Sequence, residues 1–260
     1  MNRLQKLFKH KSGSDLLSIY VTAGYPKLDA MPELIPLLAE NGVDFIEAGM
    51  PYSDPLADGK TIQHSSSLAL QNGMNLELYF RQIKQVRRQT NIPILFMGYF
   101  NQVLKFGVDK FLQACTDAGI DGVILPDLPP EIYQKSYRDI FEKYDLGMSF
   151  LISPTTADER IRLIDSLTSA FIYVVSASST TGKTEDFTEE QIAYFKRIRD
   201  FATQNPKVIG FGIDKPQKYR IANTYADGAI IGSAFIKAIA GEDYRKNAVE
   251  FVHRIKRGRR

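Results

Sequence analysis

The sequence predicts a (β/α)8 barrel with an additional N-terminal helix, built as a single domain over residues 1–260. Three observations predict it. Eight apolar runs of strand length recur at fairly even intervals, helical patterns fill the gaps between them, and 260 residues is the expected size of one such barrel. An open doubly wound sheet is the alternative. It is disfavoured because the repeats show no point at which the pattern reverses.

The N-terminus, MNRLQKLFKHKSGSD, is basic and lacks the apolar core of a signal peptide. Its Leu4, Leu7 and Phe8 fit a short amphipathic helix. The strand runs are LSIYVTA (17–23), VDFIEA (43–48), IPILFM (92–97), DGVILP (121–126), MSFLIS (148–153), FIYVVS (171–176), KVIGFG (207–212) and DGAIIG (227–232). They are near-continuous rather than alternating, as strands of a parallel sheet covered on both faces read. Helical spacing appears in 31–42, 76–90, 108–119, 131–145, 158–169, 188–204, 215–226 and 243–257. Thr156 before Asp158-Glu159 and Thr188 before Glu189-Glu190 read as helix caps. No linker or low-complexity segment divides the chain.

Composition excludes several classes. Hydrophobic residues are 44% and charged residues 24%, which is ordinary for a globular protein. No apolar run is long enough to span a membrane. The single cysteine, Cys115, allows no internal disulfide and suits a reducing, cytoplasmic setting. It falls in a helical pattern, so it reads as core rather than as a nucleophile. The net charge of +3 is too small to argue for nucleic acid. The basic end, RIKRGRR, reads as a solvated tail. His10, His64 and His253 are scattered without metal-ligand spacing, so no metal site is expected.

In a barrel of this kind the chemistry gathers where strands end and βα loops begin. The stretch FIEAGMPYSDPLADG (45–59) places Glu47 at the end of the second apolar run, with Asp54 and Asp58 in the loop after it. A carboxylate at the end of an apolar strand is desolvated, which raises its pKa toward proton transfer, whereas one in a solvated loop stays ionised. Such a pair divides into a proton carrier and a stabiliser of positive charge. The competing reading is that Asp54 and Asp58 cap the helix suggested by KTIQHSSSLALQNG (60–73). Capping does not account for Glu47.

A second cluster lies in the last third: TTGKT (180–184), GFGI (210–213) and GSAF (232–235), after the last three strands. Their glycines let backbone amides approach an anion, and a short helix starting near Ser233 would direct its positive end there. Together they suggest a phosphate site; singly, each glycine is explained by a tight turn. Tyr20, Phe96, Tyr99, Tyr173 and Phe211 lie at or near strand ends, where core is the default and an aromatic pocket the alternative.

The stretch EAGMPYSDPLADG, with YVTAGYP before it and LPDLPPE, TTG, GFGI and IIGSA after it in order, resembles the signature of the tryptophan synthase alpha subunit family. The resemblance covers essentially the whole chain. It implies a TIM barrel with an extra N-terminal helix, and a lyase that cleaves indole-3-glycerol phosphate to indole and glyceraldehyde 3-phosphate by a retro-aldol reaction. It implies no cofactor of the chain's own. Pyridoxal phosphate is expected only in a beta subunit, the partner in an alpha2beta2 complex. The family's catalytic carboxylates fall on Glu47, as proton shuttle, and Asp58, which holds the indole N–H. The phosphate would rest on amides around Gly182, Gly212, Gly232 and Ser233. Tyr20, Tyr173 and Phe211 would line the indole pocket, with Thr181 in a loop closing beside Asp58 and Asp54 facing the beta subunit.

Three positions depart from the family pattern. Ser179 stands where a glycine is usual, Met50 where Ile, Val or Phe is usual, and Tyr20 where Phe is common. None removes a catalytic group. Two other readings compete with the lyase. A sugar-phosphate isomerase would need an acid/base pair on strands one and five, where this chain has Tyr20 and Ile152-Ser153. A non-catalytic subunit that only activates its partner would not need the Glu47/Asp58 pair.

Overall fold

The computed structural model describes residues 1–11, 15–55, 58–176 and 186–257. Among these, nine strand segments form one parallel sheet: β1 (Leu16–Thr22), β2 (Phe45–Gly49), β3 (Ile94–Met97), β4 (Gly122–Ile124), β5 (Gly147–Ser149), β6 (Leu151–Ile152), β7 (Ile172–Val175), β8 (Lys207–Gly210) and β9 (Gly228–Ile231). Their spatial order is β5-β4-β3-β2-β1-β9-β8-β7-β6. The two ends of that order, β5 and β6, are parted in the chain by Phe150 alone. They are the halves of one interrupted strand, so the eight predicted strands are all present and the ring closes through it. Phe150 bridges the gap by accepting the Tyr173 amide at 2.9 Å.

The helices are α1 (Arg3–His10), α2 (Met31–Glu40), α3 (Lys60–Gln71), α4 (Leu76–Arg87), α5 (Phe100–Phe106), α6 (Val108–Ala118), α7 (Pro130–Ile132), α8 (Arg138–Glu142), α9 (Asp158–Leu167), α10 (Glu189–Asp200), α11 (Pro216–Tyr225), α12 (Ser233–Ala238) and α13 (Tyr244–Lys256). A π-helical turn, Tyr133–Tyr137, joins α7 to α8. Every residue of β1 and β2 is buried, as the continuous apolar runs require when helices cover one face and the barrel interior the other.

The N-terminal helix is a plug. Asn2 and Gln5 cap it reciprocally, and its apolar stripe buries Leu4 and Phe8. The Phe8 ring lies 5.9 Å from both Phe45 and Phe171, at the foot of β2 and β7. Arg3 adds a salt bridge to Asp121, 2.9 Å, which also takes Arg87 at 2.8 Å and the Ile94 amide at 2.9 Å. That end of the barrel is therefore sealed by aromatic packing and one buried ionic cluster.

Two local expectations are corrected. Thr156 does not cap α9: its hydroxyl accepts the Ser153 amide at 2.9 Å, and Ala157 stands at the cap without a side-chain bond. Helix α5 forms over residues where the sequence pattern predicts no helix. Thr188 caps α10 as expected, in a reciprocal pair with Gln191. Cys115 is fully buried in α6 and burial pushes its thiol well up, so it is core.

Candidate active site

Strand β2 runs two residues past Glu47, so this carboxyl lies inside the barrel rather than at its rim. Alternation along the strand puts Phe45, Glu47 and Gly49 on one face. Phe45 packs against Phe171 at 5.6 Å, and Phe171 against Tyr173 at 6.2 Å. Above this aromatic floor sits a layer made of Glu47, Tyr20 and Tyr173. Tyr20 is the register partner of Glu47 across β1 and β2.

Glu47 is 1% exposed and its Oε1 has no hydrogen-bond partner. Buried polar atoms are almost always paired, and exceptions concentrate where chemistry is done. Burial with no compensating charge pushes its pKa to about 8. Glu47 therefore holds a proton at neutral pH in the free protein. The Glu47 carboxylate, when formed, pushes the Tyr173 and Tyr20 phenols further up, after the larger effect of their own burial.

Asp58 stands in the loop after β2. Burial raises its pKa and a hydrogen bond from the Tyr99 hydroxyl, 3.0 Å, lowers it again. The capping alternative fails for both loop acids, because Gly59 is the N-cap of α3 and no side chain caps that helix. Asp54 instead accepts from Ser53 at 2.6 Å on the exposed rim. Tyr99 is the residue the sequence underweighted. It appears there only among the strand-end aromatics, although MGYF follows the third strand at the same mouth. Its ring stacks on Tyr52, centroids 4.9 Å apart.

The other predicted positions gather around the same layer. The Tyr20 hydroxyl lies against Gly49, and the Tyr173 hydroxyl against Gly210, so closely that a Cβ would fall 2.1 and 2.3 Å from them. Phe211 packs edge-on to Tyr173 at 6.0 Å. It holds φ of 68° and Gly212 holds 69°, two successive left-handed residues after β8. For a bulky side chain that is a strained conformation. The Ser176 hydroxyl braces it by donating to the Phe211 carbonyl at 2.7 Å. Gly232 caps α12, where a Cβ would lie 3.5 Å from that of Tyr20, and Ser233 is the first residue of that helix. Amides of a helix's first turn lack acceptors within the helix. Thr181, Gly182 and Ser179 lie outside the described residues.

Among the described residues, no group of three His, Cys, Asp or Glu is placed to hold a metal, and no helix is long and apolar enough to cross a membrane. The arrangement can move a proton from a neutral carboxyl into an aromatic pocket, and sets a second carboxyl, hydrogen-bonded by Tyr99, at its edge.

Comparison with known proteins bears on this chemistry. A family model described as tryptophan synthase alpha chain matches residues 6–257. The chain is 49% identical over 256 residues to a tryptophan synthase alpha chain of Christiangramia forsetii, covering 98% of this chain and 99% of the relative. A protein of that name from Flavobacterium psychrophilum is 51% identical over 238 residues, 91% and 93% of the two chains. Tryptophan synthase subunit alpha of Legionella pneumophila superposes with a TM-score of 0.89 at 30% identity, covering 99% and 98%. A chain of a tryptophan synthase complex from Pyrococcus furiosus gives 0.83 at 33%, covering 94% and 98%.

Proposed function

The chain belongs to the tryptophan synthase alpha chain family, and from that premise we propose how its barrel carries out the reaction. It is a lyase of tryptophan biosynthesis that cleaves indole-3-glycerol phosphate to indole and glyceraldehyde 3-phosphate. The single observation that carries the assignment of roles is the buried carboxyl of Glu47, its Oε1 without a hydrogen-bond partner, neutral at pH 7 and set among aromatic rings.

Retro-aldol cleavage needs one proton delivered and one removed. Glu47 gives its proton to the indole C3, making a cation delocalised onto the ring nitrogen. Asp58, ionised, accepts the ring N–H and balances that charge. The C3–carbon bond then breaks. Its electron pair returns to the ring, the hydroxyl on the departing carbon becomes the aldehyde, and its proton returns to Glu47. The carboxyl ends in its starting state, so no other acid or base is consumed.

Tyr20, Tyr173 and Phe211 form the walls that hold the indole. Amides at Gly212, Gly232 and Ser233, with Gly182 from the preceding loop, hold the phosphate, and Thr181 belongs to the loop read as closing beside Asp58. Backbone donors at glycine-rich turns and a helix start suit an anion without a lysine or arginine. The reaction as written uses no cofactor. A partner is supported by the complex named for the Pyrococcus furiosus relative. We take that partner to be a beta subunit carrying pyridoxal phosphate, in an alpha2beta2 assembly, with Asp54 on the facing loop and a cytoplasmic setting. The whole of 1–260 is read as one barrel domain.

The test is indole release from indole-3-glycerol phosphate by the purified chain, with and without a beta subunit, for wild type and Glu47→Gln. Release by wild type and none by a folded Glu47→Gln supports the roles. A normal rate in the variant overturns that of Glu47.

A further inference from the structure

Asp127, in the loop after β4, has no part in the reaction as written. Yet the Phe100 amide donates to both of its carboxylate oxygens, at 2.7 and 3.0 Å. Phe100 is the first residue of α5 and Tyr99 its N-cap. A helix of seven residues does not stand on propensity alone, and the donors of its first turn need partners from elsewhere. Asp127 supplies one from 27 positions along the chain.

The peptide that Asp127 holds is the one that directs Tyr99. On one side the Tyr99 amide donates to Gln102 Oε1 at 3.2 Å, while Gln102 Nε2 donates to the Pro51 carbonyl at 2.9 Å. On the other, the Phe100 ring meets Tyr137 of the π-helical turn edge-on at 4.8 Å. The Tyr99 hydroxyl then reaches Asp58 at 3.0 Å. Three βα loops are thus joined in series: Asp127 to Phe100, Tyr99 to Asp58.

We propose that Asp127 is a positioning residue for the cleavage reaction: by holding the Tyr99–Phe100 peptide it keeps the Tyr99 hydroxyl on Asp58. This rests on the role of Asp58 given above. What Asp127 contributes is an acceptor of the right length, so an amide oxygen can replace it. Besides Tyr99, Tyr20 and Tyr173 face Asp58 among the described residues.

The experiment follows the Asp58 carboxyl by 13C NMR through a pH titration of the ligand-free, full-length chain, with Asp58→Asn to assign the signal. Kinetics on indole-3-glycerol phosphate run beside it. In Asp127→Ala the Asp58 midpoint moves up, because the hydrogen bond that favours its charged form is loosened, and kcat/KM falls on the order of tenfold. Asp127→Asn recovers to within about threefold, since it keeps the acceptor. In a Tyr99→Phe background, Asp127→Ala removes no more than about a further twofold, as expected for residues acting in series. Should Asp127→Ala not fold, Asp127→Glu, whose carboxylate is displaced by one methylene, shows the same upward shift. An Asp58 midpoint unmoved in folded Asp127→Ala or Asp127→Glu, or losses that multiply in the double variant, overturns the proposal. If wild type itself releases no indole, the functional reading falls, and the titration alone decides on Asp127.

Discussion

The Tyr99 hydroxyl donates a hydrogen bond to Asp58 Oδ2 at 3.0 Å, joining the loops that follow β2 and β3. Burial works against ionisation of Asp58, and this bond works for it. Tyr99→Phe should therefore raise the Asp58 pKa and weaken its hold on the cationic ring. A hydrogen bond to a charged group contributes about 1.5–3 kcal/mol, so kcat/KM should fall roughly ten- to a hundredfold at pH 7. Steady-state kinetics from pH 5 to 8 would show the loss shrinking as pH rises. A uniform loss across that range would point to a packing defect instead.

Glu47→Gln should stabilise the protein while abolishing turnover. The folded pKa of Glu47, about 8, lies above its ordinary value of 4.5, so the folded state binds the proton more tightly than the unfolded one. The stability tied to that proton is intact below pH 4.5 and declines as pH rises to about 8. At 1.36 kcal/mol per pH unit the whole window is worth about 5 kcal/mol. Glutamine has no such dependence. Urea unfolding of both proteins should give similar midpoints at pH 5 and a clear advantage for the variant at pH 8.

The pH dependence of kcat/KM should be bell-shaped. Its lower limb belongs to Asp58, which must be ionised and whose pKa burial lifts above the ordinary carboxylate range. Its upper limb belongs to Glu47 and falls near pH 8, where the free protein loses the proton it must deliver. A rate that held level to pH 9.5 would remove Glu47 as the donor.

Gly49→Ala tests the aromatic layer. The new Cβ would lie 2.1 Å from the Tyr20 hydroxyl, so the phenol must swing into the space beside Glu47. Overpacking of this kind costs about 1–3 kcal/mol. Thermal unfolding should show that loss, and KM should rise because the same phenol forms a wall of the pocket. A variant with wild-type stability and KM would mean that Tyr20 moves freely.

Asp121→Ala is the contrasting case at the other end of the barrel. It leaves Arg87 and Arg3 without their shared carboxylate and the Ile94 amide without its acceptor. Removing one member of a buried ionic cluster costs about 3–5 kcal/mol. Denaturant unfolding should show it, while kcat of the folded fraction stays within about twofold of wild type. A large drop in kcat would tie the sealed end to the chemistry.

Much of the fold was legible because its signals are local. Eight continuous apolar runs became the eight strands, with one split at Phe150, and Thr188 capped its helix as its position suggests. What failed locally failed for a nonlocal reason. FNQVLKF is too short to declare itself a helix, and it is capped by a carboxylate from the next loop. Thr156 looks like a cap, but a nearer amide claims its hydroxyl. The left-handed backbone at Phe211 follows no propensity; the Ser176 hydroxyl and the Tyr173 ring hold it in place.

By itself the sequence determined the order of strands and helices, the loops that carry the carboxylates, and the family motif that names them. Those are properties of spacing and residue type along the chain. Tertiary structure alone decided that Glu47 is neutral and Asp58 paired. Protonation depends on what surrounds a group in space. For Glu47 that is a floor of Phe45 and Phe171 closed from below by Phe8, with Tyr20 and Tyr173 beside it, and for Asp58 it is a hydroxyl 41 residues away.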